Sequence, residues 1–366
     1  MSKKLQTQHL ENSLYKNTGR GAQSNFTARY NAHQTEADLE SYGWFDPEEE
    51  KSLLTTKFFE DTSQTIVNSN DSPDIGFTYS INPYRGCEHG CIYCYARPTH
   101  EYLNLSPGLD FESKIFVKYS APELLRKKLL TKSWVGETIF FSGITDCYQP
   151  AERKFQLTRS CLQVLLEFRN PVAMITKNQL ICRDIDILKQ MAEYNGAVVY
   201  LSVTSLNPEV TRILEPRTSL PHARLKAIEE LAKAGIPVGV NVAPVIPGLT
   251  DHEMPSILKA AAEAGAKYAG YTPVRLPSTV APLFEEWLNV HHPDRKNKII
   301  TAIRSMRDGK LNDPNFGSRM QGTGPRADLL SETFHLFSKK YNFNNKFFSL
   351  SNESFRKVTD QMSFDF

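Results

Sequence analysis

At 366 residues the chain is long enough for one large domain with extensions, or for two domains. Hydrophobic residues make up 40% and charged residues 23%, the balance of an ordinary globular protein rather than of a disordered or fibrous one. Lys and Arg number 43 against 41 Asp and Glu, which excludes a polycation, so any nucleic-acid contact must come from local patches. No long uninterrupted apolar run predicts a transmembrane helix. The start, Met1 to Gln6, is basic but lacks the apolar core of a secretory signal, so a cytoplasmic location is expected.

Residues 1–70 are polar, with an acidic run from Asp46 to Glu50 and little periodicity. They read as a partly disordered or draped N-terminal extension. From residue 71 to 280 short apolar runs alternate with amphipathic segments. The runs are 77–81, 138–142, 172–176, 198–203, 238–243 and 267–272, short and β-branched, as in strands buried on both faces. Cys161, Val164, Leu165 and Phe168 form a helical stripe, as do Leu225, Ile228, Leu231 and Ala232. Gly235 then stops the helix and Pro237 opens the next strand. Such spacings predict βαβ units, with an inserted segment at Ile115 to Lys118 and a helix after it. Residues 281–308 and 326–341 read as helices of a C-terminal cap spanning 281–350, and 351–366 as a tail.

Three of the six cysteines, Cys87, Cys91 and Cys94, fall within eight residues, spaced C-x3-C-x2-C, where the first strand ends. Three thiolates in one loop can hold three irons of a [4Fe–4S] cluster, leaving one iron open. Structural zinc is the alternative, as a Cys3His site completed by His89 or His100. A disulfide is disfavoured in an intracellular loop of this kind.

With Tyr93 before the last Cys, this loop resembles the cluster motif of radical S-adenosylmethionine (SAM) enzymes. The wider string, Asp74-Ile75-Gly76 through Ser80-Ile81-Asn82-Pro83-Tyr84-Arg85-Gly86-Cys87 to Ala96-Arg97-Pro98-Thr99-His100, resembles the bacterial Rv2578c-type branch, which is spore photoproduct lyase-like, or "DNA repair photolyase"-like. The resemblance covers residues 17–342 and implies an α/β fold, a partial (β/α)6 TIM-type barrel. It also implies a [4Fe–4S] cluster on Cys87, Cys91 and Cys94 that reductively cleaves SAM to a 5′-deoxyadenosyl radical, with a reductant such as flavodoxin or ferredoxin. Gly19-Arg20-Gly21-Ala22 resembles a short motif of the same family, and also suits a flexible turn.

Active sites of parallel barrels form at the C-terminal ends of strands, and the informative residues lie there. Thr145 and Asp146 stand where the family holds the SAM amino group; a plain βα turn capped by Asp146 is the other reading. Lys177 suits the SAM carboxylate and resembles a lysine of the photoproduct lyase branch, or is a solvated surface lysine. Ser202 and Thr204 offer hydroxyls to the ribose or the methionine carboxylate. Arg217 offers a fork for a carboxylate or phosphate, or an internal pair with Glu215. Asn241 suits a ribose hydroxyl, the loop from Pro244 to Asp251 the adenine edge, and Tyr93 and Tyr95 packing on the adenine. Spore photoproduct lyases return a hydrogen atom from a Cys at the corresponding strand end, which makes Cys147 the candidate donor. Here, however, it follows Thr145-Asp146 instead of preceding the equivalent pair.

DNA is suggested by two basic faces, Arg126-Lys127-Lys128 with Lys132, and His291 to Lys298, although such runs are usually solvated surfaces. The last six residues, Gln361 to Phe366, resemble the peptide by which bacterial repair proteins dock on the DNA sliding clamp, with Phe364 and Phe366 in place of Leu. The expected activity is radical chemistry on a DNA lesion. The alternatives are radical modification of RNA or protein, and a non-catalytic iron–sulfur or zinc scaffold. The oligomeric state is left open.

Overall fold

The structure is a computed structural model, described over residues 19–29, 55–345 and 349–358. Strands β1 (Lys57–Glu60), β4 (Tyr84–Arg85) and β5 (Lys114–Val117) make a small sheet in the order β1-β5-β4. The main sheet begins with β2 (Val67–Ser69), antiparallel to β3 (Tyr79–Ile81). Parallel strands then follow in chain order: β6 (Ile139–Phe141), β7 (Val172–Thr176), β8 (Ala197–Ser202), β9 (Val238–Val245) and β10 (Tyr268–Pro273). Parallel neighbours need crossovers, and helices supply them. In chain order these are α1 (Leu109–Ser113), α2 (Ala121–Leu130), α3 (Glu152–Phe155), α4 (Leu157–Phe168), α5 (Ile185–Ala192), α6 (Pro208–Leu214), α7 (Pro221–Lys233) and α8 (Met254–Glu263). The six parallel strands form the expected α/β fold, an incomplete (β/α)6 barrel.

The core follows from the sequence pattern. Five of the six β8 residues are buried, as in a strand covered on both faces. On α4, Cys161, Val164, Leu165 and Phe168 point inward as their spacing requires. Asn207 caps α6 by accepting the Glu209 N–H at 2.8 Å, and Pro208 fills the first helical position.

The open edge of the barrel is managed by the C-terminal segment: α9 (Val280–His291), α10 (Lys296–Arg304), α11 (Ser318–Gln321) and α12 (Pro325–Lys340). Beyond α12, the Asn344 amide pairs with Ala269 N–H at 3.1 Å and Ala269 C=O at 3.0 Å, covering the free edge of β10. Phe334 of α12 packs on Tyr271, ring centroids 4.7 Å apart. Arg319 forks onto Asp74, joining the segment after β10 to the segment before β3.

Several expectations change. The stretch 281–308 is two helices, because Pro293 lacks an N–H and disfavours helical backbone at His292, which has φ −143° and ψ 52°. Residues 57–60 and 67–69, read as part of a draped extension, are strands; their partners β5 and β3 lie far along the chain, where local periodicity cannot reveal them. Ile115 to Val117 belong to β5. Arg20 to Ala22 are packed rather than a flexible turn: Gly21 and Ala22 N–H groups donate to Glu112 at 2.9 and 2.8 Å. Arg126 is paired with Glu167, which weakens its basic face. The acidic run 46–50 and the clamp-like peptide 361–366 lie outside the described residues. Among the described residues no helix is long and apolar enough to cross a membrane.

Candidate active site at the strand ends

The cysteine loop is built on the backbone hydrogen bonds Cys87 N–H to Phe111 C=O at 2.9 Å, Ile92 N–H to Leu214 C=O at 3.1 Å and Cys94 N–H to Cys91 C=O at 3.2 Å. Its organiser is Arg97, fully buried. The guanidinium donates to the carbonyls of Cys91, Pro107, Gly108 and Gly90 at 3.0 to 3.1 Å, and pairs with Glu112. Glu112 in turn takes the N–H groups of Gly21 and Ala22. A fully spent guanidinium pairing with a carboxylate is what makes its burial tolerable. Gln149 braces the other side, accepting from Glu88 N–H and donating to Gly86 C=O.

The loop opens on a cavity of about 320 Å³ at the C-terminal ends of β6 to β10. Cys87, Cys91 and Cys94 line it, together with Tyr93, Tyr95, Asp146, Lys177, Ser202 and Asn241 from the sequence reading. All three cysteines are free thiols, and burial pushes each thiol up, aided by the Asp146 charge at Cys87 and the Glu215 charge at Cys91. Thiols so placed become thiolates only for a partner that brings its own positive charge. The donor set therefore fits an iron–sulfur cluster. It does not gather a Cys3His zinc site. His89 is taken by Asp146 and Asn178, and His100 faces the Lys114 carbonyl at 3.0 Å beside Phe111. Among the described residues no three His, Cys, Asp or Glu side chains converge on one ion.

Polar groups without protein partners also face this space. Among the described residues the Ser202 hydroxyl and the Asn241 amide make no hydrogen bond, as expected of groups that meet a ligand. Lys177 reaches in as well: its ammonium donates to the Ala243 carbonyl at 3.0 Å and lies 3.7 Å from Glu215. It is therefore an internal cation of the cavity wall and not a solvated surface lysine.

The remaining expected residues are placed differently. Asp146 lines the cavity, but its oxygens accept from Tyr148 N–H, Thr176 Oγ1 and Lys177 N–H at 2.7 to 2.8 Å, with His89 Nδ1 at 3.4 Å. Its lone pairs are filled, leaving none for an ammonium. Thr145 does not line the cavity; its hydroxyl is buried and donates to the Tyr84 carbonyl at 2.9 Å. Thr204 and Tyr93 turn their hydroxyls to the Glu215 carboxylate. Arg217 pairs with Glu88 at 3.0 Å and reaches Thr56 at 3.2 Å, away from the cavity, and Glu215 pairs with Arg224 instead. Cys147 is fully buried in the main core and is not part of the cavity lining, so the geometry does not bring the expected hydrogen donor to the site. The cause is already visible in the sequence: the cysteine follows Thr145-Asp146 instead of preceding the equivalent pair, and Asp146 occupies the inward position.

Three contributors carry no motif. Glu112, Arg224 and Arg275 act through tertiary placement.

Comparison with known proteins follows the same outline. Residues 81–261 match the model of the radical SAM superfamily. The chain is 37% identical to the uncharacterized protein Rv2578c of Mycobacterium tuberculosis over 243 residues, covering 66% of this chain and 70% of the relative. It is 28% identical to spore photoproduct lyase of Bacillus subtilis over 184 residues, 48% of each chain. Among solved structures, spore photoproduct lyase complexed with dinucleoside spore photoproduct superposes with a TM-score of 0.57 at 17% identity, over 78% of this chain and 79% of that one, a likeness of fold. Members of the superfamily use a [4Fe–4S] cluster and SAM. By its cysteine loop, its incomplete barrel and these relatives, the chain belongs to the radical SAM superfamily.

Proposed function

We propose that this chain holds a [4Fe–4S] cluster on Cys87, Cys91 and Cys94, cleaves SAM reductively, and acts on a lesion or modified base in DNA. When bound, the cluster and SAM supply a 5′-deoxyadenosyl radical that abstracts a hydrogen atom; the chemistry is theirs, and the protein orients and shields it. The observation that carries the reading is one cavity in which the three loop thiols meet the Ser202 hydroxyl and Asn241 amide, unpartnered among the described residues, and the Lys177 ammonium. Lys177 sets a positive charge beside the position for a carboxylate. Ser202 and Asn241 offer hydrogen bonds to ribose hydroxyls. The Tyr93 ring, under the Lys177 ammonium at 5.9 Å, excludes water beside the cysteines. DNA as substrate rests on the likeness to spore photoproduct lyase, and flavodoxin or ferredoxin as electron donor on the superfamily's general need for a reductant.

Anaerobic reconstitution tests the first part, with cluster absorbance and 5′-deoxyadenosine release from SAM and dithionite as the expected results. Bound zinc with neither signal would refute it. Deuterium transfer into 5′-deoxyadenosine from labelled DNA, RNA or protein then decides the substrate, with DNA as the expected donor.

A further inference from the structure

The cavity contains a positive charge that has no ion pair among the described residues. Arg275 lies two residues beyond β10, is half-buried and lines the cavity. Among the described residues its guanidinium makes no hydrogen bond and no ion pair; its contact is the face of Tyr95, 5.1 Å from the ring centroid. The buried Arg97 and Arg224, by contrast, each have a carboxylate and backbone carbonyls, and Arg319 is neutralised by Asp74. A guanidinium carries five N–H donors, and removing them from water without acceptors is costly until an anion arrives. Burial pulls the Arg275 guanidinium below its ordinary value, against the opposing pull of the Asp74 charge.

Its position is fixed. The Tyr95 hydroxyl donates to the Gly143 carbonyl at 2.8 Å, which pins the ring under the guanidinium to the turn after β6. Beside it Phe77 stacks on Phe140, centroids 4.1 Å apart and planes 2° from parallel, and both line the same cavity with Ile75. Flat apolar surface next to one unpaired fork suits a planar ring carrying an oxyanion. Among the described residues the other charged groups of the cavity already have protein partners. Lys177 is held by Ala243 and Glu215, and Asp146 has its lone pairs filled.

We infer that Arg275 is the substrate-anion contact of this cavity, binding a backbone phosphate of the substrate while Tyr95 and Phe77 flank a base. This rests on the DNA reading for the identity of the anion, though not for its charge. The SAM carboxylate is the other possible source of an oxyanion here, and the test separates the two.

The experiment compares reconstituted wild type with Arg275→Ala and Arg275→Lys, each first shown to retain cluster absorbance. A fluorescein-labelled single-stranded oligodeoxynucleotide and SAM are titrated separately. The expected result is oligonucleotide binding weakened about tenfold to a hundredfold in R275A, the range of a lost charge-assisted hydrogen bond, with SAM affinity retained. R275K is expected to fall between, since it keeps the charge and loses the fork. The salt dependence of binding should drop by about one phosphate contact. Loss of SAM affinity with unchanged oligonucleotide binding would assign Arg275 to the cofactor and overturn the inference. So would no change in either. If wild type binds no oligonucleotide, the DNA reading fails separately, and phenylglyoxal modification of Arg275, mapped by mass spectrometry, decides the anion role. Slower modification in inorganic phosphate than in chloride of equal ionic strength supports it, and equal rates refute it.

Discussion

Asp146 Oδ2 stands 3.4 Å from His89 Nδ1, and this contact ties the turn after β6 to the cysteine loop. The proton between them can be located. Asn178 Oδ1 accepts from Leu180 N–H at 3.0 Å and Ser219 Oγ at 3.1 Å, so the Asn178 amide nitrogen faces His89 Nε2 as donor, at 3.2 Å. Nε2 is then the acceptor, and Nδ1 carries the proton toward Asp146. Asp146 thus acts as a positioning residue for the loop.

Asp146→Asn presents an N–H₂ group either to His89 Nδ1–H and Lys177 N–H or to Thr176 Oγ1–H and Tyr148 N–H, where only acceptors fit. Iron retained after reconstitution and desalting, or the rate of 5′-deoxyadenosine formation, should fall about 10- to 100-fold, as for other residues that orient metal ligands. Unchanged values in both would show the contact to be incidental.

Glu215 is fully buried and takes Arg224, Tyr93 and Thr204. Burial alone would raise its carboxyl, but the Arg224 and Lys177 charges and these hydroxyls bring it down to about 2. Glu215→Ala strands the Arg224 charge, and urea unfolding should report a loss of about 3–5 kcal/mol. Partial recovery is expected in the double variant Glu215→Leu/Arg224→Met, because the guanidinium is no longer stranded while Lys177 keeps its bond to the Ala243 carbonyl.

Cys147 and the loop cysteines separate cleanly. Replacing Cys87, Cys91 or Cys94 by Ala should abolish cluster absorbance. Cys147→Ala should keep the cluster and 5′-deoxyadenosine formation, at a stability cost of about 1 kcal/mol for a small buried side chain. A C147A protein that cleaves SAM but stalls on substrate would restore the hydrogen-donor role.

Gly21 sits against the loop so closely that an added Cβ would lie 1.8 Å from the Gly90 carbonyl oxygen. Backbone cannot yield there as a flexible side chain would. Gly21→Ala should cost more than the usual overpacking range of about 1–3 kcal/mol, or lower iron retention, whereas Gly19→Ala, which meets nothing within 4 Å, tests only the positive φ of 79°.

His100 gives the pH dependence. Burial lowers its folded value from 6.5 to about 4, and its Nδ1 has no partner. As pH falls from above 6.5 toward 4, the unfolded chain takes up a proton that the folded chain refuses. Stability relative to neutral pH therefore declines across that window, by about 3 kcal/mol at its foot. Urea midpoints at falling pH should drop more for wild type than for His100→Gln, which preserves a donor to the Lys114 carbonyl without titrating. Parallel declines would contradict this.

By itself the sequence determined what is local: the cysteine spacing, the apolar strand runs and the helical stripes, because each depends on residues near one another in the chain. Cys87, Cys91 and Cys94 were legible for that reason, and so were the barrel's strands to within a residue or two. The resemblance carried by that loop and its flanks then fixed the superfamily. Only the tertiary structure decided which polar side chains reach the cavity. Thr145 and Thr204 follow strand ends and Arg217 follows α6, yet their partners are Tyr84, Glu215 and Glu88, and a polar group turns toward whichever acceptor the fold delivers. Arg275 became conspicuous for the opposite reason. Among the described residues the fold brought it an aromatic face and no carboxylate within ion-pair distance, a lack that only three-dimensional neighbours can reveal.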